Sequence, residues 1–207
     1  SPADSVRKAV TVLNTGLLAI NPHNGDVLAW VGGINHRLSQ IDHVGMRRQV
    51  GSTFKPILYA AALEYGIDPC TYVENVRRTY PQHDNWNPGN SDGKYGGWYS
   101  LKGALSKSLN TVSAWLINEV GPSNVVSLAR KMGIESKIPE LASIALGTAE
   151  ISLSEMVRAY GAFATGGCVR NQTMITSIKD RDGNVLYECT RDISGSYVMS
   201  EATAIYV

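Results

Sequence analysis

The chain has 207 residues, 43% of them hydrophobic, which is enough apolar material for one globular domain with its own core. Nineteen basic and 18 acidic side chains leave a net charge of +1 with no basic block, which excludes nucleic acid as the main partner. No apolar run approaches the ~18 residues of a membrane-spanning helix, and nothing at the N-terminus reads as a signal peptide.

Residues 17–20 and 26–31 are apolar and β-compatible, and the Asn24-Gly25 pair between them is a strong hairpin signal. A helix is predicted over 56–65, where Ile57, Leu58, Ala61, Ala62 and Tyr65 recur at helical spacing and Gly66 supplies the C-cap. Residues 87–97 are dense in Gly, Asn and Pro and read as loop. Two helices follow, over 101–107 and 111–120, broken near Ser108-Leu109-Asn110; the second aligns Val112, Trp115, Leu116 and Val120 on one face and stops at Gly121. A helix over 123–132 ends at Gly133. Ser152-Leu-Ser-Glu155 is a capping box ahead of a helix over 153–164, and a second hairpin is predicted over 173–188 with Asp182-Gly183 at its turn. There is no internal repeat and no low-complexity segment. The pattern is that of one helix-rich α+β domain with its strands at the two ends.

Cys70, Cys168 and Cys189 are an odd number, so at least one is unpaired if the chain is intramolecularly oxidised; they read as small structural residues with at most one disulfide. His23, His36, His43 and His83 show no metal-ligand spacing, and neither metal nor cofactor is expected.

One pattern carries chemistry. A lysine one helical turn from a serine can accept the serine proton, provided its own pKa is lowered enough to leave it neutral. The S-x-x-K spacing arises by chance about once per 200–300 residues, and this chain has it at Ser5/Lys8, Ser52/Lys55 and Ser91/Lys94. Ser91/Lys94 falls in the Gly/Asn/Pro loop and Ser5/Lys8 in a short polar segment. Ser52/Lys55 differs: it follows Gly51 and opens the apolar helix, so the serine meets free N–H groups and the positive end of the helix dipole. Pro56 lies in or just after the first turn, where a missing N–H costs least. A second pattern, Ser108-x-Asn110, is the only S-x-N in the chain. Two apart in an extended or loop segment, these side chains point the same way and offer a hydroxyl that can relay a proton and an amide that can orient a carbonyl or a lysine. Each residue would also serve as a plain helix cap.

Together the two motifs resemble the penicillin-binding-protein family of serine transpeptidases, which shares its fold with the serine β-lactamases and is marked by S-x-x-K, S-x-N and K-T/S-G. The flanks are similar as well, and they come in family order: residues 16–33 resemble the opening hairpin, Arg48 to Pro56 the first motif of the bifunctional (class A) branch, Gly103 to Asn110 its second, and residues 145–167 the stretch that precedes the third motif. No lysine in residues 1–207 is followed by Thr or Ser and then Gly. In the family this motif lies beyond the region that residues 196–207 match. The resemblance therefore implies a single transpeptidase domain, C-terminally incomplete, that lacks the last strands of its sheet.

The resemblance implies a mechanism too. Ser52 attacks the carbonyl between two D-alanines of a peptidoglycan stem peptide, Lys55 deprotonates it, Ser108 relays a proton to the leaving amine, and Asn110 holds the substrate amide and Lys55. An amine from a second stem peptide then resolves the acyl-enzyme into a cross-link, and β-lactams acylate the same serine. The expected location is extracytoplasmic, with membrane contact only through an upstream anchor. Without the third motif, weak activity is expected of residues 1–207 alone, and self-association through the unpaired edge of 17–31. Two alternatives use the same motifs: a carboxypeptidase or β-lactamase that passes the acyl group to water, and a non-catalytic penicillin-recognising sensor or scaffold.

Overall fold

The computed structural model describes residues 13–37, 39–190 and 194–207; Ser5 and Lys8 lie outside them. Its centre is helix α1 (Lys55–Glu64). Ile57, Leu58, Ala60 and Ala62 are fully buried on every side of it, so the helix is wrapped rather than laid on a surface. Around it pack α2 (Leu101–Ser106), α3 (Asn110–Val120), α4 (Pro122–Lys131), α6 (Glu201–Tyr206) and a 3₁₀ turn at Ala142–Leu146. α3 gives this cluster Val112, Leu116 and Val120 of the predicted stripe, together with Ile117, while Trp115 is half-buried. Tyr65 departs from the expected core: it is 59% exposed, because Gly66 takes φ +97° and the chain leaves the helix there through bonds from Gly66 N to Leu63 O and Ile67 N to Ala62 O.

Helix α5 (Leu153–Ala164) carries the predicted capping box: Ser152 Oγ accepts from Glu155 N, and the Glu155 carboxylate accepts from Ser152 N. The same carboxylate accepts from Glu135 N, Ser136 N and Ser136 Oγ, so it also ties the loop after α4 to the start of α5.

The strands are short, antiparallel and paired in twos: β1 (Leu17–Ile20) with β2 (Val27–Val31), β3 (Arg47–Gln49) with β6 (Glu150–Ser152), β4 (Tyr72–Glu74) with β5 (Trp98–Ser100), β7 (Cys168–Val169) with β10 (Ser196–Tyr197), and β8 (Ser177–Lys179) with β9 (Val185–Glu188). Both expected hairpins are present, but strands also occur mid-chain, contrary to the expectation of strands at the two ends only. Ladders of two or three residues are too short to show a period of two in the sequence.

The β1–β2 hairpin packs on α5, with Ile20 beside Gly161. Among the described residues no third strand joins it; an isolated bridge from Asp26 to Thr173 is its one β-bridge outside the hairpin. Leu17, Leu28 and Val31 are left about half exposed or more. None of the three cysteines is in a disulfide: Cys70 is exposed, Cys168 buried and Cys189 half-buried. Among the described residues no helix is long and apolar enough to cross a membrane, and no cluster of His, Cys, Asp or Glu could hold a metal ion.

Candidate active site

Ser52 does not sit on the α-helix itself. It lies in a 3₁₀ turn, Gly51–Phe54, that runs straight into α1. Residues three apart eclipse in a 3₁₀ turn, so Ser52 and Lys55 still share a side. The turn is held from three directions. Phe54 is fully buried. Gly51 N donates to Gly147 O at 3.0 Å and Val50 N to Ala149 O at 3.3 Å, extending the β3–β6 ladder. From α5, the Tyr160 hydroxyl donates to Thr53 O at 2.6 Å. Gly147 has φ +71°, and a Cβ there would stand 1.8 Å from Gly51 O, so only glycine permits this approach. The Ser52 hydroxyl is exposed and makes no hydrogen bond among the described residues.

Lys55 is the opposite case, 1% exposed at the first position of α1. Its Nζ donates to Ser108 O at 2.6 Å, to Ser108 Oγ at 3.0 Å and to Asn110 Oδ1 at 2.8 Å. Three acceptors match the three protons of an ammonium. All are neutral, however, and burial lowers the Lys55 pKa from 10.5 to about 8. At pH 7 roughly one molecule in ten then carries the free amine, against roughly one in 3,000 for an unburied lysine.

The two motifs that the sequence leaves 53 positions apart thus meet at one nitrogen. They do so by a route other than an extended segment. Ser108 links α2 to α3 in the left-handed region, at φ +53°. For a non-glycine residue this costs of order 1–3 kcal/mol, and here it turns carbonyl and hydroxyl together toward Lys55. Asn110 is the first residue of α3; its Nδ2 donates to Gly89 O at 2.9 Å, which leaves Oδ1 facing the lysine. Neither residue caps the helix: the N-cap is Leu109, which has no side-chain acceptor. Ser91/Lys94, in contrast, lies exposed in a loop and opens no helix.

Sequence reasoning missed Gly147, Tyr160 and the pair Asn75 and Asn90. Asn90 Oδ1 accepts from Asn110 N and Thr111 N, and Asn75 holds Asn90. An Asn in a Gly/Asn/Pro-rich loop reads as turn chemistry, so no local signal separates Asn90 from its neighbours. Beside the Ser52 turn, an apolar groove of about 420 Å³ runs between the β3–β6 ladder and α5, lined by Met46, Val50, Thr53, Ile151, Met156 and Tyr160 among others.

An exposed serine, a buried lysine with a lowered pKa and a Ser/Asn pair on that lysine are the groups a serine acyl transfer would use, and they stand here on a helix-rich α+β domain. Comparison with known proteins gives the family. The model of the penicillin-binding protein transpeptidase domain matches residues 15–207. Penicillin-binding protein 1A of Rickettsia felis is 33% identical over 184 residues, which cover 87% of this chain and 23% of that protein. Penicillin-binding protein 1A of Neisseria gonorrhoeae is 35% identical over 180 residues, 84% of this chain and 23% of that protein. Among solved structures, penicillin-binding protein 1A from Haemophilus influenzae superposes with TM-score 0.84 at 27% identity, over 92% of this chain and 33% of that one. PonA1 from Mycobacterium tuberculosis, in complex with penicillin V, superposes with TM-score 0.81 at 26% identity, over 98% of this chain and 57% of that one. The chain belongs to the penicillin-binding protein transpeptidase family, and its similarity is to class A members. It spans about a quarter of the length of the curated relatives it matches.

Proposed function

We propose that the chain is a peptidoglycan D,D-transpeptidase domain in which Ser52 is the nucleophile, acting outside the cytoplasmic membrane. The observation that carries this reading is the convergence of Ser108 O, Ser108 Oγ and Asn110 Oδ1 on Lys55 Nζ, one turn from an exposed serine. In its neutral form Lys55 takes the Ser52 proton as Oγ attacks the carbonyl of the penultimate D-alanine. The Ser52 N–H, at the start of the 3₁₀ turn, supplies one oxyanion donor. Ser108 Oγ passes the proton to the departing D-alanine amine, and Asn110 orients the substrate amide. A second stem peptide then delivers the amine that breaks the ester and forms the cross-link. No metal or cofactor enters. β-Lactams acylate Ser52 by the same attack, their ring amide standing in for the scissile bond.

Treatment of the full natural chain with a fluorescent penicillin, followed by peptide mass spectrometry, tests the assignment. One adduct on Ser52, absent from Ser52→Ala, is expected. Labelling that survives Ser52→Ala, or no labelling at any concentration, overturns it.

A further inference from the structure

We infer that Asn90 is a positioning residue that sets Ser108 and Asn110 against Lys55, with Asn75 as its own anchor. The inference rests on the acyl-transfer reading of the site and deepens it. Helix α3 begins at Asn110 without a capping side chain of its own. Its first N–H groups, among those every helix leaves unpaired, go to one acceptor from an earlier loop: Asn90 Oδ1 takes Asn110 N at 2.9 Å and Thr111 N at 3.2 Å. The Asn90 Nδ2 donates to Asn75 Oδ1 and to Lys94 O, both at 2.7 Å. The side-chain amide therefore fills both acceptor and both donor positions, a set no other side chain of that length offers.

Gly89, next in the chain, accepts from Asn110 Nδ2. Two consecutive loop residues thus grip Asn110 at its backbone and at its side chain, leaving Oδ1 a single direction, toward Lys55 Nζ. Since Ser108 lies two residues before the capped position and carries left-handed strain, fixing the start of α3 also fixes its carbonyl and hydroxyl. Asn75, 3% exposed, closes the network: its Oδ1 accepts from Asn90 and from Thr111 Oγ1 at 2.7 Å, and its Nδ2 reaches Gly96 O at 3.3 Å and Lys94 O at 3.4 Å.

Every partner in this chain of contacts is neutral up to the lysine. The charged side chains nearby in sequence include Glu74 and Arg78, which pair with each other at 3.5 Å beside Asn75, Arg77, Asp92 and Lys94 around the loop, and Lys107 beside Ser108. Arg77 donates to Asn87 O, the Asp92 carboxylate accepts from Lys94 N, and Lys107 lies over the Tyr99 ring. A charge placed at Asn90 is therefore a clean probe. In Asn90→Asp the carboxylate keeps the helix cap but loses both donors, and it puts a negative charge against the backbone N–H of Asn110, whose Oδ1 accepts from the lysine.

The test compares wild type, Asn90→Ala and Asn90→Asp in the full natural chain. The readouts are the rate of Ser52 acylation by a fluorescent penicillin from pH 6 to 10, the melting temperature, and the Lys55 titration from ¹³Cε-lysine NMR assigned with Lys55→Arg. For Asn90→Ala we expect a ~10–100-fold lower acylation rate constant at every pH, with penicillin affinity nearly unchanged, the loss typical of a displaced reacting group. For Asn90→Asp the pH midpoint and the Lys55 titration should both move up by roughly one pH unit, with the rate above that midpoint recovering to within about 3-fold of wild type. Rates that fall only as the melting temperature falls, with midpoint and titration unmoved, overturn the proposal and leave Asn90 a structural cap. If neither variant folds, Thr111→Val, which removes one link to Asn75, decides: an unchanged rate overturns the proposal and a ~2–5-fold loss supports it. If penicillin does not label wild-type Ser52, the functional reading fails, while an unmoved Lys55 titration still counts separately against the role of Asn90.

Discussion

In the proposed mechanism Lys55 decides the chemistry at the residue scale. A free amine is the basic form, so activity through it rises as pH climbs through the folded-state pKa. Burial sets that value at about 8, so Ser52 acylation should increase about tenfold from pH 7 toward a plateau above pH 9, measured as the initial rate of penicillin labelling. Lys55→Arg should remove the increase and lower the rate by ~10²–10⁴, because a guanidinium stays charged throughout this range. A flat profile in wild type would mean that Lys55 is not the base. Stability carries the same sign. The unfolded chain holds its proton up to about 10.5 and the folded chain only to about 8, so the penalty of burying Lys55 is full below pH 8 and is relieved as pH rises between the two values. The spacing of Ser52 and Lys55 was legible in the sequence. Ser108 and Asn110 were legible as candidate partners, but the burial that tunes the lysine and its bond to Ser108 O were not, because they depend on packing against residues more than 50 positions away.

Two elements hold the site from behind. The 3₁₀ turn of Ser52 leans on Gly147, and Gly147→Ala would drive a Cβ to 1.8 Å from Gly51 O while forcing alanine to φ +71°. A loss of ~3 kcal/mol or more in urea unfolding is expected, together with slower Ser52 labelling in whatever folds. α5 depends on Glu155. Burial alone would raise its pKa, but hydrogen bonds from Ser136 and Ser152 outweigh it and hold the carboxyl at about 2. A depressed carboxyl stabilises the fold fully above its ordinary value, 4.5, and the contribution disappears as pH falls from there through about 2. Glu155→Ala should therefore cost ~2–4 kcal/mol at pH 7, and the gap to wild type should narrow below pH 4. A gap that stays constant down to pH 2 would contradict this account. The capping box within Ser152–Glu155 could be read from spacing alone. The two further donors from Ser136 could not, since nothing local joins that loop to α5.

For the whole molecule, the weak point is the β1–β2 hairpin. Among the described residues its one β-bridge outside the hairpin is Asp26–Thr173, and Leu17, Leu28 and Val31 stand open. A polypeptide of residues 1–207 alone is expected to self-associate through this edge, with fast amide exchange over 17–31; a strictly monomeric species by light scattering would count against it.

What the sequence determined by itself was local or periodic. The helical stripes, the Asn24-Gly25 turn, the Ser152–Glu155 cap and the two motifs at Ser52 and Ser108 each act within one turn or one hairpin, so their physics is written in adjacent residues. The tertiary structure decided the rest. It buried Lys55, turned Ser108 into the left-handed region, paired the three-residue strands β3 and β6 across about 100 residues of chain, and brought Asn75 and Asn90 behind Asn110. These depend on which distant surfaces pack together, and a backbone amide or a buried amine records that only once the core has closed around it.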